Sequence, residues 1–178
     1  MTKTAEAFRN ISFTINGRPT TRSVDVRSSL SDLLRDELGL TSVKKGCEVG
    51  ECGACSVLID GIAIDSCIYL AVWVDGKDLV TTEGLADADG TLSIAQQAFV
   101  DATAVQCGFC TPGLLLTTTE LLDSGQTYTR DELRTELAGH LCRCTGYQNI
   151  LNAVELAQER HQTQAHIGSS EFWDAVTR

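Results

Sequence analysis

The chain has 178 residues, is 43% hydrophobic and carries a formal net charge of −10 with no basic cluster. That length holds one sizeable core or two small ones, and the charge argues against nucleic-acid binding, which needs lysine and arginine to displace counterions from phosphate. No stretch reaches the length of a membrane span, and Met1 to Phe13 carry neither a long apolar run nor a twin arginine, so a soluble, cytoplasmic chain is expected.

Ile11, Phe13 and Ile15 alternate with polar residues and predict a half-buried strand. Asn16-Gly17 supplies a tight hairpin turn, and Thr20 to Val26 the returning strand. Leu30, Leu33, Leu34 and Leu38 follow at helical spacing, with Ser28 or Ser29 as cap and Gly39 as stop. Cys55 to Ile59 and Ile62 to Cys67 predict a second hairpin about Asp60-Gly61, which puts Cys67 on a strand. A short strand is expected near Leu79–Thr81, and Trp73 just before it reads as core or domain-interface packing.

From Thr81 to Thr91 the composition shifts to Gly, Asp and Glu, the expected domain boundary. Beyond it the pattern is helical. Ser93-x-x-Gln96 matches a capping box before the stripe Ile94, Ala98, Phe99, Ala102 and Val105. Pro112 to Leu122 predicts a helix capped by Thr111, and Thr129-x-x-Glu132 and Thr145-x-x-Gln148 open two more. The last of these carries Ile150, Leu151, Val154 and Leu156. Four helices with short connections predict a small antiparallel bundle.

The eight cysteines fall into two sets. In a reducing compartment they are expected to be metal ligands, not disulfides. Cys47, Cys52 and Cys55 read Cys-x4-Cys-x2-Cys, with Cys67 as a distant fourth, the plant-type spacing for a [2Fe–2S] cluster. Such a loop must wrap the cluster closely, and Gly46, Gly50 and Gly53 let the backbone approach without a Cβ in the way. Zinc is the rival ligand, but structural zinc sites usually show two short Cys-x2–4-Cys pairs. The second set is Cys107, Cys110, Cys142 and Cys144. Cys110-Thr111-Pro112 and Cys144-Thr145-Gly146 share a plan of ligand, cap and helix, which predicts an approximately two-fold cradle with both helix N-termini aimed at one cluster. Zinc is again the alternative, against which Cys142-Arg143-Cys144 is unusually tight. His140 raises a Rieske-type site, but no matched pair of Cys-x-His motifs exists, so it reads as helix-end packing or solvent-facing. Spacing alone makes Gln106 a plain polar helix-end residue, and Arg143 either neutralises cluster charge or faces a partner. The tail, His161 to Arg178, is polar except for Phe172-Trp173, which reads as a partner-docking pair.

The motifs Gly50-Glu51-Cys52-Gly53-Ala54-Cys55, Gln106-Cys107-Gly108-Phe109-Cys110-Thr111-Pro112-Gly113 and Cys142-Arg143-Cys144-Thr145-Gly146-Tyr147 together resemble the small iron–sulfur subunit of the molybdenum hydroxylases, the xanthine dehydrogenase family. The resemblance covers about residues 9 to 160. It implies an α+β chain: a plant-type ferredoxin-like (β-grasp) domain over 9–84, an all-α four-helix-bundle [2Fe–2S] domain over 90–161, and a tail over 162–178. It also implies partners. A large subunit holds a molybdenum–pterin cofactor (molybdopterin, with its dinucleotide form left open) and a medium subunit holds FAD, in a heterotrimer or a dimer of heterotrimers. Electrons then run from molybdenum through the helical-domain cluster and the ferredoxin-like cluster to the flavin. Gln106 matches the glutamine that hydrogen-bonds the pterin, which reverses its plain reading. Cys144 matches the cysteine that both ligates the near cluster and touches the pterin amino group. Ile64 to Ala71 looks most like bacterial xanthine (purine) dehydrogenases, so purine hydroxylation is expected. Aldehyde, carbon monoxide or N-heteroaromatic dehydrogenation is the alternative, as is a free-standing two-cluster carrier. No Gly-x-Gly-x-x-Gly motif and no acid–base group in a defined pocket stands out, so no catalytic residue is expected on this chain.

Overall fold

Apolar alternation builds the first strand of the computed structural model, which describes residues 7–167; the Phe172-Trp173 pair lies outside them. β1 (Phe8–Ile15) buries Ile11, Phe13 and Ile15 and pairs antiparallel with β2 (Arg18–Asp25) from Phe8↔Asp25 to Ile15↔Arg18. Asn16 and Gly17 make the turn at φ 51° and 73°, the backbone twist that two-residue hairpins favour. A short helix, α1 (Leu30–Asp32), is capped by Ser29, whose Oγ accepts the Asp32 N–H at 3.1 Å. It does not continue as the ordinary helix expected. It widens into a π-helical turn, Leu33–Glu37, closed by Leu38 N–H to Leu33 O at 3.0 Å, with Leu30, Leu33 and Leu34 all fully buried.

β3 (Ser56–Ile59) and β4 (Ile62–Asp65) form the second hairpin, and β5 (Asp78–Val80) inserts between β1 and β3. The sheet order is β2-β1-β5-β3-β4, with β5 parallel to β1 and antiparallel to β3. Every residue of β3 is buried, because a helix of the second half covers the sheet there. Contrary to the hairpin pattern's prediction, Cys67 is not on a strand. The ladder stops at Asp65, where the Ser66 hydroxyl donates to Cys55 O at 2.6 Å and Ile68 N–H to Asp65 O at 3.3 Å, turning Cys67 out of the sheet. Trp73 is not core either. It lies on a 3-10 turn, Ala71–Val74, that buries Ala71 and Val74 and leaves Trp73 54% exposed, edge-on to the Tyr69 ring at 5.2 Å.

The second half is helical. α2 (Ile94–Asp101) starts on the predicted Ser93/Gln96 capping box and buries Ala98 and Phe99; Val105 falls beyond its end and is exposed. α3 (Thr111–Asp123) begins one residue earlier than predicted. Cys110 holds the cap position without a side-chain cap bond, so Thr111 is the first helical residue and not the cap. α4 (Arg130–Glu136) has the predicted Thr129/Glu132 box. α5 (Gln148–Ile167) packs against α2, α3 and α4. Its predicted capping box does not form: Thr145 Oγ1 accepts the Tyr147 N–H at 3.1 Å, and Gly146 and Tyr147 both take positive φ. The chain therefore bends before the helix starts. The ligand-cap-helix plan expected twice holds at neither place: Cys110 is itself the cap residue of α3, and Cys144 is separated from α5 by the bend.

Buried apolar residues form two separate cores. One gathers Phe13, Leu30, Leu33, Val57 and Leu79, and the other Phe99, Leu114, Leu133, Ile150 and Val154. Each fully buried leucine contributes about 2 kcal/mol. Among the described residues no helix is long and apolar enough to cross a membrane.

Candidate metal centres

The register of the second hairpin explains how a remote cysteine joins the first set. Pairing Ser56 with Asp65 brings Cys55 and Cys67 to the same end of the sheet, below the loop that carries Cys47 and Cys52. The thiols interact as pairs, Cys47 with Cys52 and Cys55 with Cys67. Backbone N–H groups of Val49 and Glu51 point at Cys47 Sγ, at 3.5 and 3.4 Å. These donors favour the thiolate and bring its pKa down to about 7. Burial pushes Cys55 up to about 12 and raises Cys52. A Cβ at Gly46 would stand 3.0 Å from Cys52 Sγ, so the loop closes tightly there.

The second set sits where α3 begins and where the chain turns before α5. Here Cys144 meets Cys107 and Cys110 meets Cys142, while Cys107 also acts on Cys110 and Cys142 on Cys144. Cys110 is buried and pushed up to about 12 by that burial, and then by Cys142. Burial acts upward on Cys142, but hydrogen bonds from Thr145, the Cys144 backbone and Cys110 together outweigh it and the thiol is lowered. Thr145 Oγ1 already accepts the Tyr147 N–H, so its own proton is free for Cys142 Sγ at 3.1 Å. The Tyr147 hydroxyl braces the same loop, accepting the Cys142 N–H at 2.7 Å and donating to His140 O at 3.1 Å. Cys107 and Cys144 are exposed, as are Gln106, Phe109 and Arg143 around them.

The two sites meet at a seam that spacing alone did not reveal. Leu141 N–H donates to the Cys52 carbonyl at 3.1 Å. His140, read from sequence as helix-end packing or solvent-facing, is 6% exposed and lies between Gly53 and Gly113. Its Nε2 hydrogen-bonds Thr117 Oγ1 at 2.7 Å, and its Nδ1 has no partner among the described residues. Burial lowers its pKa, with Asp65 and the Gly53 backbone pulling the other way. The ring is held by the Thr117 hydroxyl on one side and by close packing against Gly53 and Gly113 on the other. The available signal was the pair of glycines: a Cβ at Gly53 would meet His140 Nδ1 at 2.3 Å, and one at Gly113 would meet Gly53 O at 2.1 Å.

Among the described residues no three His, Cys, Asp or Glu side chains gather around a point that could hold one metal ion. The spacing of each set of four thiols suits a [2Fe–2S] cluster, which takes two thiolates at each iron. The converging N–H groups and the absence of a Cβ at Gly46 fit the same group.

Comparison with known proteins agrees with this chemistry. Residues 13–86 match the model of the 2Fe-2S iron-sulfur cluster binding domain, and residues 81–155 match the model of the [2Fe-2S] binding domain. The chain is 56% identical over 146 residues to the xanthine dehydrogenase iron-sulfur-binding subunit of Escherichia coli O157:H7, an overlap of 81% of this chain and 91% of that one. It is 50% identical over 140 residues to the nicotine 6-hydroxylase small subunit of Paenarthrobacter nicotinovorans, covering 79% and 84%. It superposes on a chain of quinoline 2-oxidoreductase from Pseudomonas putida 86 with a TM-score of 0.83 at 42% identity, covering 89% of this chain and 98% of that one.

Proposed function

The chain belongs to the iron–sulfur small subunits of the molybdenum hydroxylase family, and from that premise we propose that it relays electrons from a molybdenum–pterin site on a large subunit, through two [2Fe–2S] clusters, to FAD on a medium subunit. In this reading Cys47, Cys52, Cys55 and Cys67 hold one cluster, within a plant-type β-grasp domain over 9–84. Cys107, Cys110, Cys142 and Cys144 hold the other, in a helical bundle over 90–161. Gln106 hydrogen-bonds the pterin, and Cys144 touches its amino group while ligating iron. Val49 and Glu51 N–H stabilise negative charge at Cys47, and Thr145 does so at Cys142. The chain supplies no catalytic residue and works in the cytoplasm within a heterotrimer or a dimer of heterotrimers.

The observation that carries this reading is the placement of the two thiol sets. They adjoin at the Leu141–Cys52 hydrogen bond, while Cys107 and Cys144 open to the surface at the other side of the helical set. A carrier working alone needs only one exposed site. Purification with its partners should give two distinct [2Fe–2S] EPR signals and about four irons per chain. Intact clusters in a chain that never co-purifies with molybdenum- or flavin-bearing subunits would sink the proposal.

Xanthine or hypoxanthine is the substrate class we propose for the complex, on the 56% identity to the xanthine dehydrogenase subunit. Hydroxylation of another N-heteroaromatic ring is the second reading, favoured by the 50% identity to the nicotine 6-hydroxylase subunit. Turnover of the purified complex with purines, aldehydes and pyridines separates the two.

A further inference from the structure

His140 belongs to neither cysteine set, yet it occupies the space between them. Its N–H donates to Leu137 O at 3.0 Å, its carbonyl accepts the Tyr147 hydroxyl at 3.1 Å, and its Nε2 is tied to Thr117 of α3 at 2.7 Å. The ring is thus anchored on the helical side and pressed against Gly53 of the first cysteine loop, with Gly113 closing the space behind it. The next residue, Leu141, donates the backbone hydrogen bond that crosses from the helical part to that loop, reaching the Cys52 carbonyl at 3.1 Å. From Cys52 to Cys142 the connection is therefore one hydrogen bond and one peptide unit.

We propose that His140 is the positioning residue that sets the electronic coupling of the two clusters, by holding the Leu141 N–H on the Cys52 carbonyl. Exchange between redox centres falls steeply as the gap between them widens, and it is stronger across bonded atoms than across a loose contact. A ring wedged between two glycines and fastened through Nε2 fixes that gap more tightly than a flexible side chain could. Gly53 and Gly113 admit the ring because they carry no Cβ. One electron leaves the cluster of the helical part as one arrives at the cluster of the first loop, and no proton is required of His140. The inference rests on the two-cluster relay proposed above.

The test uses the purified complex, fully reduced with dithionite, with iron and sulfide counted and EPR recorded at low temperature. In the unaltered complex the two reduced clusters should split one another's signals. His140→Ala is expected to keep both clusters and lose that splitting. His140→Gln, whose amide can reach Thr117, is expected to retain it. Unchanged splitting in His140→Ala with both clusters present overturns the role assigned to His140. Should His140→Ala fail to assemble, Thr117→Val decides in its place: it leaves the ring and removes its anchor, so weakened splitting supports the role and unchanged splitting overturns it. Absence of two [2Fe–2S] signals from the unaltered complex is a different failure, that of the relay itself.

Discussion

Gly113 Cα faces the Gly53 carbonyl so closely that a Cβ at position 113 would stand 2.1 Å from its oxygen. This contact joins the first turn of α3 to the loop between Cys52 and Cys55. The obstacle is backbone, which cannot swing aside as a side chain can.

Gly113→Ala should therefore open the seam and destabilise the protein by about 1–3 kcal/mol, the usual cost of overpacking. Gly139→Ala is the control, since a Cβ there meets nothing within 4 Å. Urea unfolding of the two variants checks the difference; equal midpoints would mean that the seam yields freely.

Cysteine reactivity should differ sharply within one loop of the cluster-free chain. Cys47 titrates near 7 because Val49 and Glu51 donate to its sulfur, and Cys55 is pushed up to about 12 by burial. A lowered pKa means thiolate above it, so alkylation of Cys47 should already level off at about pH 8, where Cys55 remains a thiol. Mass-spectrometric labelling with iodoacetamide across pH reads this order, and faster labelling of Cys55 would contradict it.

Tyr147→Phe removes the hydroxyl shared by His140 O and the Cys142 N–H. Two backbone groups lose a partner at once, for an expected loss of about 1–3 kcal/mol. The EPR signal of the helical-domain cluster should shift while that of the other cluster stays as it was.

If Cys144 ligates the helical-domain cluster as proposed, Cys144→Ser should disturb that cluster and leave the ferredoxin-like cluster assembled. The two cores are separate, which is why one site can fail alone. Loss of both EPR signals together would show that the two sites fold as one unit.

Much of this molecule was legible locally. The alternation of Ile11, Phe13 and Ile15, the Asn16-Gly17 turn and the capping boxes at Ser93 and Thr129 each depend on residues within a few positions, and each formed as expected. The box at Thr145 did not, because its hydroxyl had a competing use at Cys142 Sγ and Tyr147 N–H. Trp73 departs from its expected burial for a related reason: its neighbours Ala71 and Val74 fill the core, and the short 3-10 turn leaves the indole outside.

The sequence by itself determined the number of cysteines, their division into two sets and the iron–sulfur chemistry that their spacing suits, because ligand spacing along a loop is a local property. Only the tertiary structure decided how the sets meet. The meeting of Cys107 with Cys144 and of Cys110 with Cys142, and the burial of His140 between Gly53 and Gly113, depend on segments far apart in the chain, as does the Ser66–Cys55 bond at the turn that frees Cys67 from its strand. No periodicity records such contacts, since they arise where α3 comes to rest on β3 and leaves room for one imidazole.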